Sequence, residues 1–590
     1  MTARLLWAVA AAVAASVPLV TANTYYLYLG MTVGIMVVIT SGFNVLAGLS
    51  GQVSLGHAGL YAIGAYAAAI LATRWHLALA AALPLSIALT AAIGALLALA
   101  ALRVSGPYLA MVTIAFGIIV EHALIEWVGL TGGPGGIFNI PKPTLAGVAL
   151  PLPRYYFVVA AAAALALWMT HNLMSSAWGR AFIAVKGSEI AAESLGLGTY
   201  GLRTAAFTIS AAFAGAGGCL FSFLNGYVSP DSFTLQTSIL FLLIVLFGGL
   251  GILAGPLVGA LVLVLLPELL REFLDYRLIF YGGLLLGSIY FLPRGAVGAV
   301  QDLWRHPPRA AAAPSAGVPS AWAPAGAPAG FASRPAPGPG RPLLVVEDLW
   351  VAFGGIQAVA DVDLTVAAGT VHSLIGPNGA GKTTLVNLVT GFSRPDRGRI
   401  TFDGVSIIGL APAVIARRGL ARTFQTPQLF EELTVLENVM VGVAGHRLGS
   451  LAAALTGRGR AEAAALHREA TALLQTAGLG DWADVPAGAL PFGLRRRLEI
   501  GRALGAGATM LLLDEPAAGL VPTEIAELDA LLGRLREAGL TILLIEHHIE
   551  LVMAVSDRVT VLDEGRVIAE GRPEVVQRDP AVVEAYLGSA

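Results

Sequence analysis

The second half of the chain carries a glycine-rich run that could bind the phosphates of a nucleotide. The run GPNGAGKTT matches the pattern GxxxxGK[ST] and lies between the apolar strand TVHSLI and the helical run LVNLVTGF. In such a loop, backbone N–H groups surround the phosphates, the lysine reaches the β and γ oxygens, and the hydroxyl can bind Mg²⁺. We therefore predict ATP and Mg²⁺ as cofactors, held by Gly376, Pro377, Asn378, Gly379, Ala380, Gly381, Lys382, Thr383 and Thr384.

An acidic pair and a histidine complete a possible hydrolytic site. Asp514 ends the apolar strand in MLLLDEP and is predicted to bind Mg²⁺, while the neighbouring Glu515 could orient or deprotonate the attacking water. His547 ends the strand in TILLIEHH, in the right chain order to contact a γ-phosphate. A histidine there is by itself more often a capping or surface residue, so its predicted catalytic role depends on the other groups.

The elements that must position these residues fall into two unlike halves. The chain has 590 residues, 56% of them apolar, and a mean hydropathy of +0.75, which predicts membrane segments. Most charged residues lie after residue 300, where short apolar strands alternate with helical runs, as in an α/β domain. A net charge of −2 argues against a nucleic-acid partner, and the single cysteine, Cys219, excludes an internal disulfide framework.

Apolar runs of membrane-spanning length fill the first half. We predict about ten helices, with a retained first helix and the N-terminus inside, and the C-terminus and the connection 172–203 on the cytoplasmic side. The segment Gly48–Gly56 could be a loop or an unwound stretch within the bundle. The predicted spans are 5–22, 27–47, 55–73, 77–102, 107–129, 155–171, 204–224, 237–250, 254–269 and 278–293.

Composition also predicts the domain limits. Residues 303–342 are rich in Pro, Ala and Gly and lack the hydrophobic periodicity of a helix or strand with one buried face. We therefore predict that they form a linker. We predict a polytopic α-helical permease domain at 1–302 and an α/β P-loop NTPase domain at 343–590, with a helical subdomain at about 430–505.

With these motifs together, residues 343–590 resemble the ATPases of ABC transporters. The resemblance implies that Gln425, in ARTFQTPQLF, contacts Mg²⁺ and reports to the membrane domain, and that Phe353 stacks on adenine. It also implies that LPFGLRRRLEIGRAL, through Phe492 and Gly493, caps ATP bound by an opposing cassette.

This signature segment departs from the common LSGGQ pattern. Pro491 replaces the serine and Leu494 replaces the glutamine, while Val521 lies near the usual aspartate of the D-loop. Gly493 and the following helix N-terminus can still receive an anion, but proline offers neither a hydroxyl nor an N–H. We therefore predict that the site capped by this segment is the weaker of two.

The first half resembles the permeases of branched-chain amino acid importers. The resemblance is carried by GQVSLGHAGLYAIGAY at 51–66, LTGGPGGI at 130–137 and the cytoplasmic loop GRAFIAVKGSEIAAESLGLGTYG at 179–201. It implies that this loop docks on the ATPase, with the candidate coupling residues Glu189, Ala191, Ala192 and Gly196; a solvated amphipathic connection is the alternative. Candidate residues of a substrate pathway are Gln52, Ser54, His57 and Glu121.

The resemblance of both halves predicts ATP-driven import of branched-chain amino acids across the cytoplasmic membrane, with a multi-pass permease and a cytoplasmic ATPase. It implies contact with membrane lipid, a second permease and a second ATPase (or a second copy of this chain), an extracytoplasmic solute-binding protein and a small-molecule substrate. Urea, short amides or other amino acids are alternative cargoes. An ABC exporter half-transporter, a non-transport ABC ATPase and a sensor with an inert cassette are the competing classes.

Overall fold

The chain is described by a computed structural model, which covers residues 16, 18, 23–101, 106–145, 148–269, 276–304, 338, 340–445 and 447–587. It divides into two compact units. The first comprises residues 1–175, 200–310 and 454–457, and the second comprises 176–199, 311–453 and 458–590, as far as these are described. Nearly all of the predicted linker 303–342 lies outside the described residues.

Apolar helices build the first unit. The first of them continues into a π-helical turn, Asn44–Leu49, and short 3₁₀ turns occupy Gly133–Gly135 and Pro230–Phe233. A two-stranded antiparallel ladder joins β1 (Thr144–Leu145) to β2 (Val148–Ala149). The helices are α1 (Thr24–Phe43), α2 (His57–Arg74), α3 (Leu79–Ala101), α4 (Pro107–Glu126), α5 (Val128–Thr131), α6 (Leu152–Met174), α9 (Thr199–Asn225), α10 (Leu235–Gly248), α11 (Gly255–Leu269), α12 (Arg277–Phe291) and α13 (Gly295–Trp304).

The predicted spans agree with these helices. Each span overlaps a helix except the first, 5–22, which lies outside the described residues apart from positions 16 and 18. Seven helical segments within the described residues are long and apolar enough to cross a membrane. The predicted total of about ten was therefore loose, because the short helix α11 and the 18-residue helix α2 are not among those seven. The predicted split of the glycine-rich stretch is present between α10 and α11.

Two interruptions of the helices in the first unit lie against each other. The π-helical turn ends before Gly51, and a second break separates α10 from α11, with Gly249 and Gly251 at φ values of +126° and +73°. Buried Asn44 accepts a hydrogen bond from the Gly251 N–H (2.8 Å) and donates one to the Ile252 carbonyl (3.1 Å). One side chain thus satisfies backbone groups that a broken helix leaves unpaired in an apolar bundle.

Two sheets form the centre of the second unit. The larger has the strand order β8-β9-β10-β5-β11-β12, parallel except for the β11–β12 pair, and the smaller is an antiparallel sheet of order β4-β3-β6-β7. The strands are β3 (Pro342–Phe353), β4 (Ile356–Ala367), β5 (Val371–Ile375), β6 (Arg397–Phe402), β7 (Val405–Ser406), β8 (Leu420–Arg422), β9 (Met510–Asp514), β10 (Thr541–Ile545), β11 (Arg558–Asp563) and β12 (Arg566–Gly571).

Helices cover this sheet or extend from it. Strands β5, β9 and β10 are buried along their whole length, as expected for parallel strands covered on both faces. Short 3₁₀ turns lie at Gly480–Trp482 and Ala487–Ala489. The helices are α7 (Ala177–Gly187), α8 (Glu189–Ser194), α14 (Lys382–Val389), α15 (Pro412–Arg417), α16 (Val435–Ala444), α17 (Leu451–Leu455), α18 (Arg460–Thr476), α19 (Phe492–Gly505), α20 (Pro522–Glu537), α21 (Ile549–Val555), α22 (Pro573–Val576) and α23 (Pro580–Leu587).

Candidate functional site: a nucleotide site at the strand ends

The glycine-rich run links the end of β5 to the start of α14. Gly381 immediately precedes the helix at φ +96°, and a Cβ there would overlap the carbonyl oxygen of Ala358. Glycine is therefore required by both conformation and space. The Lys382 ammonium donates to the carbonyl oxygens of Gly376 (2.7 Å) and Pro377 (2.8 Å), which folds the side chain back over the loop. Asn378, Gly379 and Thr383 are exposed around it.

The register of the parallel strands brings the predicted residues to one edge of the sheet. Ile545 of β10 pairs with Asp514 of β9 on one side and with Leu374 of β5 on the other. The residues that follow these strands are therefore neighbours. This places Glu515 and His547 beside the start of the glycine-rich loop, as expected at the carboxyl ends of parallel strands.

Glu515 lies at the centre of the site and is held from both sides. Its Oε2 accepts a hydrogen bond from Gln425 Nε2 at 2.8 Å, and its Oε1 lies 2.7 Å from His547 Nε2. Because an ionised carboxylate can only accept, the His547 Nε2 must carry the proton. Glu515 also adopts a left-handed backbone conformation, φ +47°, which is unusual for a non-glycine residue. The structure thus brings together three side chains that are far apart in sequence.

A residue that the sequence analysis missed, Arg422, holds Asp514. Its Nη2 donates to Asp514 Oδ2 at 3.1 Å, and both side chains are buried, with exposed fractions of 6% and 7%. Its Nη1 donates to Asn387 Oδ1 at 2.6 Å, which links it to α14. Burial lowers the pKa of Arg422, against the attraction of Asp514. A charged residue in the buried three-residue strand β8 was the sequence signal that could have revealed it.

The charge of Lys382 is balanced by this acidic edge. Burial lowers the pKa of the Lys382 ammonium, while the nearby carboxylates of Glu515 and Asp514 act in the opposite direction. A buried cation without a nearby negative charge is unfavourable. A polyphosphate bound to the glycine-rich backbone would supply that charge beside Lys382.

The residues present fit Mg²⁺ bound together with a nucleotide. Thr383, Gln425 and Asp514 all offer oxygen atoms, the ligand type that Mg²⁺ prefers, and Gln425 uses its amide nitrogen on Glu515. Among the described residues no group of three or more His, Cys, Asp or Glu side chains could hold a metal ion alone. A magnesium ion here would therefore need phosphate oxygens as further ligands, which is its usual mode of binding to nucleotides.

Two further predicted contacts lie at surfaces. Phe353 ends β3 with 53% of its surface exposed, followed by Gly354 and Gly355 at positive φ, so its ring is available for stacking. Phe492 begins α19, is 45% exposed and contacts the turn at Gly519.

The two replacements in the signature segment lie in different surroundings. Pro491 is the N-cap of α19 and provides no side-chain cap. Leu494, in contrast, is 2% exposed and packs in the hydrophobic core of the helical region. The Leu494 side chain therefore faces the core and not the surface of α19. A Cβ at Gly493 would overlap the Glu524 carboxylate, so this glycine is packed closely against α20.

The C-terminal helix α23 also touches the nucleotide loop. Val582 packs in one cluster with Ile375, the residue before Gly376. Burial raises the pKa of the Tyr586 hydroxyl, and the backbone of Gly376 acts on that pKa in the opposite direction. The sequence analysis did not identify this residue, and no local motif in the printed sequence marks it.

The predicted coupling loop packs within the second unit. Gly196 (φ +86°) lies against Arg417, which donates to its carbonyl oxygen at 3.3 Å, and Ala191 and Ala192 are fully buried. Lys186 forms an ion pair with Glu432 at 2.8 Å.

Ser188 caps a helix of this loop and joins the loop to Gln428. Ser188 caps α8, accepting from the Ala191 N–H, and its hydroxyl donates to Gln428 Oε1 at 3.3 Å. Of the predicted residues, Glu189 occupies the first turn of α8, where a carboxylate is favoured by the helix dipole.

The predicted pathway residues of the first unit are only partly brought together. His57 is fully buried, with Nδ1 3.0 Å from the Ser54 hydroxyl and Nε2 2.7 Å from that of Ser210. Gln52 is 4% exposed and donates to the Arg203 carbonyl at 3.3 Å. Glu121 lies on α4, half-buried, and no described hydrogen bond connects it with the other three.

Comparisons with known proteins match both halves. Residues 23–289 match the family described as branched-chain amino acid transport system / permease component, and 359–518 match the ABC transporter family. Residues 566–590 match the branched-chain amino acid ATP-binding cassette transporter family.

Individual relatives repeat this division. The high-affinity branched-chain amino acid transport ATP-binding protein BraF of Pseudomonas aeruginosa is 44% identical over 42% of this chain and 99% of its own length. The permease protein LivM of Salmonella typhimurium is 38% identical over 48% of this chain and 69% of its own length. A nucleotide-free cassette from an ABC transporter is 35% identical, covers 42% of this chain and all of its own, and has a TM-score of 0.38.

The helical unit, the nucleotide site and these matches define an ABC transporter protein in which a permease and an ATPase are parts of one polypeptide. More narrowly, the chain belongs to the branched-chain amino acid transport family of ABC transporters, through its permease half and its ATP-binding half alike.

Proposed function

We propose that this chain imports branched-chain amino acids, driven by ATP that its own cassette hydrolyses. The observation that carries the proposal is the convergence of Gln425 and His547 on Glu515, beside the loop that carries Lys382. Supporting it, relatives of both halves are named as subunits of high-affinity branched-chain amino acid transport.

The hydrolytic step follows from the groups around Glu515. With nucleotide bound, Lys382 would turn from the carbonyl oxygens of its loop to the phosphates, and Thr383, Gln425 and Asp514 would hold Mg²⁺. Mg²⁺ supplies charge neutralisation for the phosphates. Glu515 would then accept a proton from the attacking water or orient it. The Nε2–H of His547 bonds to the Glu515 carboxylate in this structure and would have to turn from it to donate to a γ-phosphate oxygen.

Phe353 would stack on adenine, and Phe492 and Gly493 would act on ATP held by an opposing cassette. Because Leu494 is buried, the predicted weakness of that second site rests on Pro491 and on Val521, which is 54% exposed near the usual position of the D-loop aspartate.

Transport needs further subunits. The chain has one permease match, at residues 23–289, and one cassette match, at residues 359–518. ATP hydrolysis of the proposed kind would need two cassettes that close over two nucleotides. We propose a second permease and a second cassette as partners, or a second copy of this chain, with an extracytoplasmic binding protein that selects the solute. The membrane would be the cytoplasmic one, with the cassette in the cytoplasm, where ATP is available.

Movement would reach the permease through the coupling loop. The ion pair of Lys186 with Glu432 and the contact of Ser188 with Gln428 join this loop to the segment that also carries Gln425. A change in the Gln425 contact on ATP binding would therefore displace α8.

The cargo is tested by uptake into proteoliposomes that contain the chain with its partner subunits. ATP is enclosed inside, and radiolabelled leucine and the binding protein are added outside. The proposal expects ATP-dependent accumulation of leucine that unlabelled isoleucine and valine inhibit and that urea and acetamide do not. Inhibition by urea with no effect of valine would replace this cargo by the alternative one. Outward movement of leucine without a binding protein would indicate an exporter.

A further inference from the structure

A buried arginine–glutamate pair in helix α19 binds the segment that connects the coupling loop with Glu515. We name residues 424–428 the switch segment; it contains Gln425, which bonds to Glu515, and Gln428, which bonds to Ser188. Arg496 and Glu499 are one turn apart on α19, and each is only 1% exposed.

The two side chains hold the switch segment by its backbone. Arg496 Nη1 donates to the Phe424 carbonyl at 2.6 Å, and its Nη2 donates to the Gln425 carbonyl at 2.7 Å. Glu499 Oε1 accepts from the N–H groups of Phe424 at 3.1 Å and Gln428 at 3.4 Å. Both ends of the segment are therefore fixed to one helix.

The same arginine reaches the proposed catalytic carboxylate's own backbone. Arg496 Nη2 lies 3.3 Å from the Glu515 carbonyl oxygen, and Nη1 donates to Glu499 Oε2 at 3.1 Å. The planar guanidinium thus joins three backbone carbonyls, while its charge is balanced by Glu499. Lysine could not reproduce this planar arrangement.

A buried ion pair contributes little to the stability of a core. Removing charges from water is costly, and apolar side chains of similar size often stabilise a core as well or better. Burial raises the pKa of Glu499, against the attraction of Arg502 and Arg496 and its bonds to the Phe424 and Gln428 N–H groups. A role in positioning accounts for a charged pair here, since only polar groups can hold irregular backbone in a fixed place.

We propose that Arg496 and Glu499 are positioning residues that keep the switch segment fixed between α19 and Glu515. When the coupling loop moves at its contact with Gln428, the fixed switch segment then transmits this movement to Gln425 and Glu515. The transport part of this inference rests on the proposed function, whereas the local ordering and its effect on hydrolysis do not.

A matched control lies beside the pair in the same helix. Arg497, next to Arg496, forms an ion pair with Glu527 of α20 and lies 7% exposed. In the described contacts, Glu527 bonds to Arg497 and has no bond to the switch segment. Glu527→Gln therefore removes the half-buried charge partner of Arg497 on α19 and leaves the described bonds of the switch segment in place.

The test uses the full-length chain with its partner subunits and compares Glu499→Gln, Arg496→Lys and Glu527→Gln. We expect the two variants of the pair to lower kcat for ATP about tenfold, with KM for ATP within about twofold. By hydrogen exchange, amides 424–428 should exchange at least about tenfold faster, and those of β5 and β9 at the original rate. Glu527→Gln should leave kcat and the exchange of 424–428 unchanged.

Several results would overturn the inference. One is an unchanged kcat in both variants of the pair; another is an equal loss of kcat in Glu527→Gln. Unchanged exchange at 424–428 would also contradict it, as would faster exchange spread evenly over the cassette. If Glu499→Gln does not fold, Arg496→Lys, which keeps both charges, carries the same test. If leucine uptake is lost while ATP hydrolysis and hydrogen exchange at 424–428 stay normal in all three variants, the role of the pair is contradicted. If the unaltered chain takes up no leucine, only the proposed cargo is contradicted.

Discussion

Breaking the contact between Arg422 and Asp514 should destabilise the cassette strongly. Arg422→Met removes the 3.1 Å bond to Asp514 and the 2.6 Å bond to Asn387, and leaves a carboxylate that is 7% exposed without its cation. Removing one partner of a buried pair costs about 3–5 kcal/mol. For a domain of this size, 1 kcal/mol shifts Tm by about 2–4 °C, so the expected fall is about 6–20 °C.

The assay is differential scanning calorimetry of the full-length chain in detergent, following the transition that ATP shifts upward, because ligand binding identifies the cassette. The matched control is Arg558→Met. Arg558 bonds to Glu570 at 2.7 Å with 57% of its side chain exposed, so its loss should cost about 0–1 kcal/mol. Equal Tm shifts for the two variants would mean that burial does not determine how much free energy of unfolding each ion pair contributes.

Three other outcomes are expected. Glu515→Gln should lower ATP hydrolysis by about 10²–10⁴-fold while ATP binding, measured by nucleotide-dependent stabilisation, persists; hydrolysis at the original rate would exclude Glu515 as the base. Lys186→Glu should lower solute uptake per ATP hydrolysed, and the added change Glu432→Lys should restore it, since the 2.8 Å pair is re-formed with reversed charges; no recovery would contradict a role for this pair.

The third concerns pH. Burial lowers the pKa of His372 to about 4, so the unfolded chain takes up this proton first and stability is lost as pH falls from about 6.5 towards 4. His372→Gln, which can keep the bond to Thr560, should flatten the Tm profile over that range; parallel profiles would contradict this.

The sequence predicts well those features that depend on a pattern of neighbouring residues. The run ending in Lys382, the strand ending in Asp514 and the apolar spans each have a local pattern, and the structure has a loop, a strand and helices there. The meeting of His547 with Glu515 follows from strand order, because parallel strands end at a common edge.

Other features depend on pairings across long stretches of chain. Arg422 meets Asp514 from 92 residues away, and Arg496 meets the Phe424 carbonyl from 72 residues away. No local pattern marks such contacts. The burial of Leu494 could not be predicted either. Matching a motif does not tell which side chains of an amphipathic helix face the core.

Whether this nucleotide site drives import is decided by one variant in the proteoliposome assay. Lys382→Ala removes the ammonium that now bonds to Gly376 and Pro377 and that would hold the phosphates. We expect ATP-dependent leucine accumulation to be abolished while the chain still assembles with its partner subunits. Accumulation at the rate of the unaltered chain would contradict it.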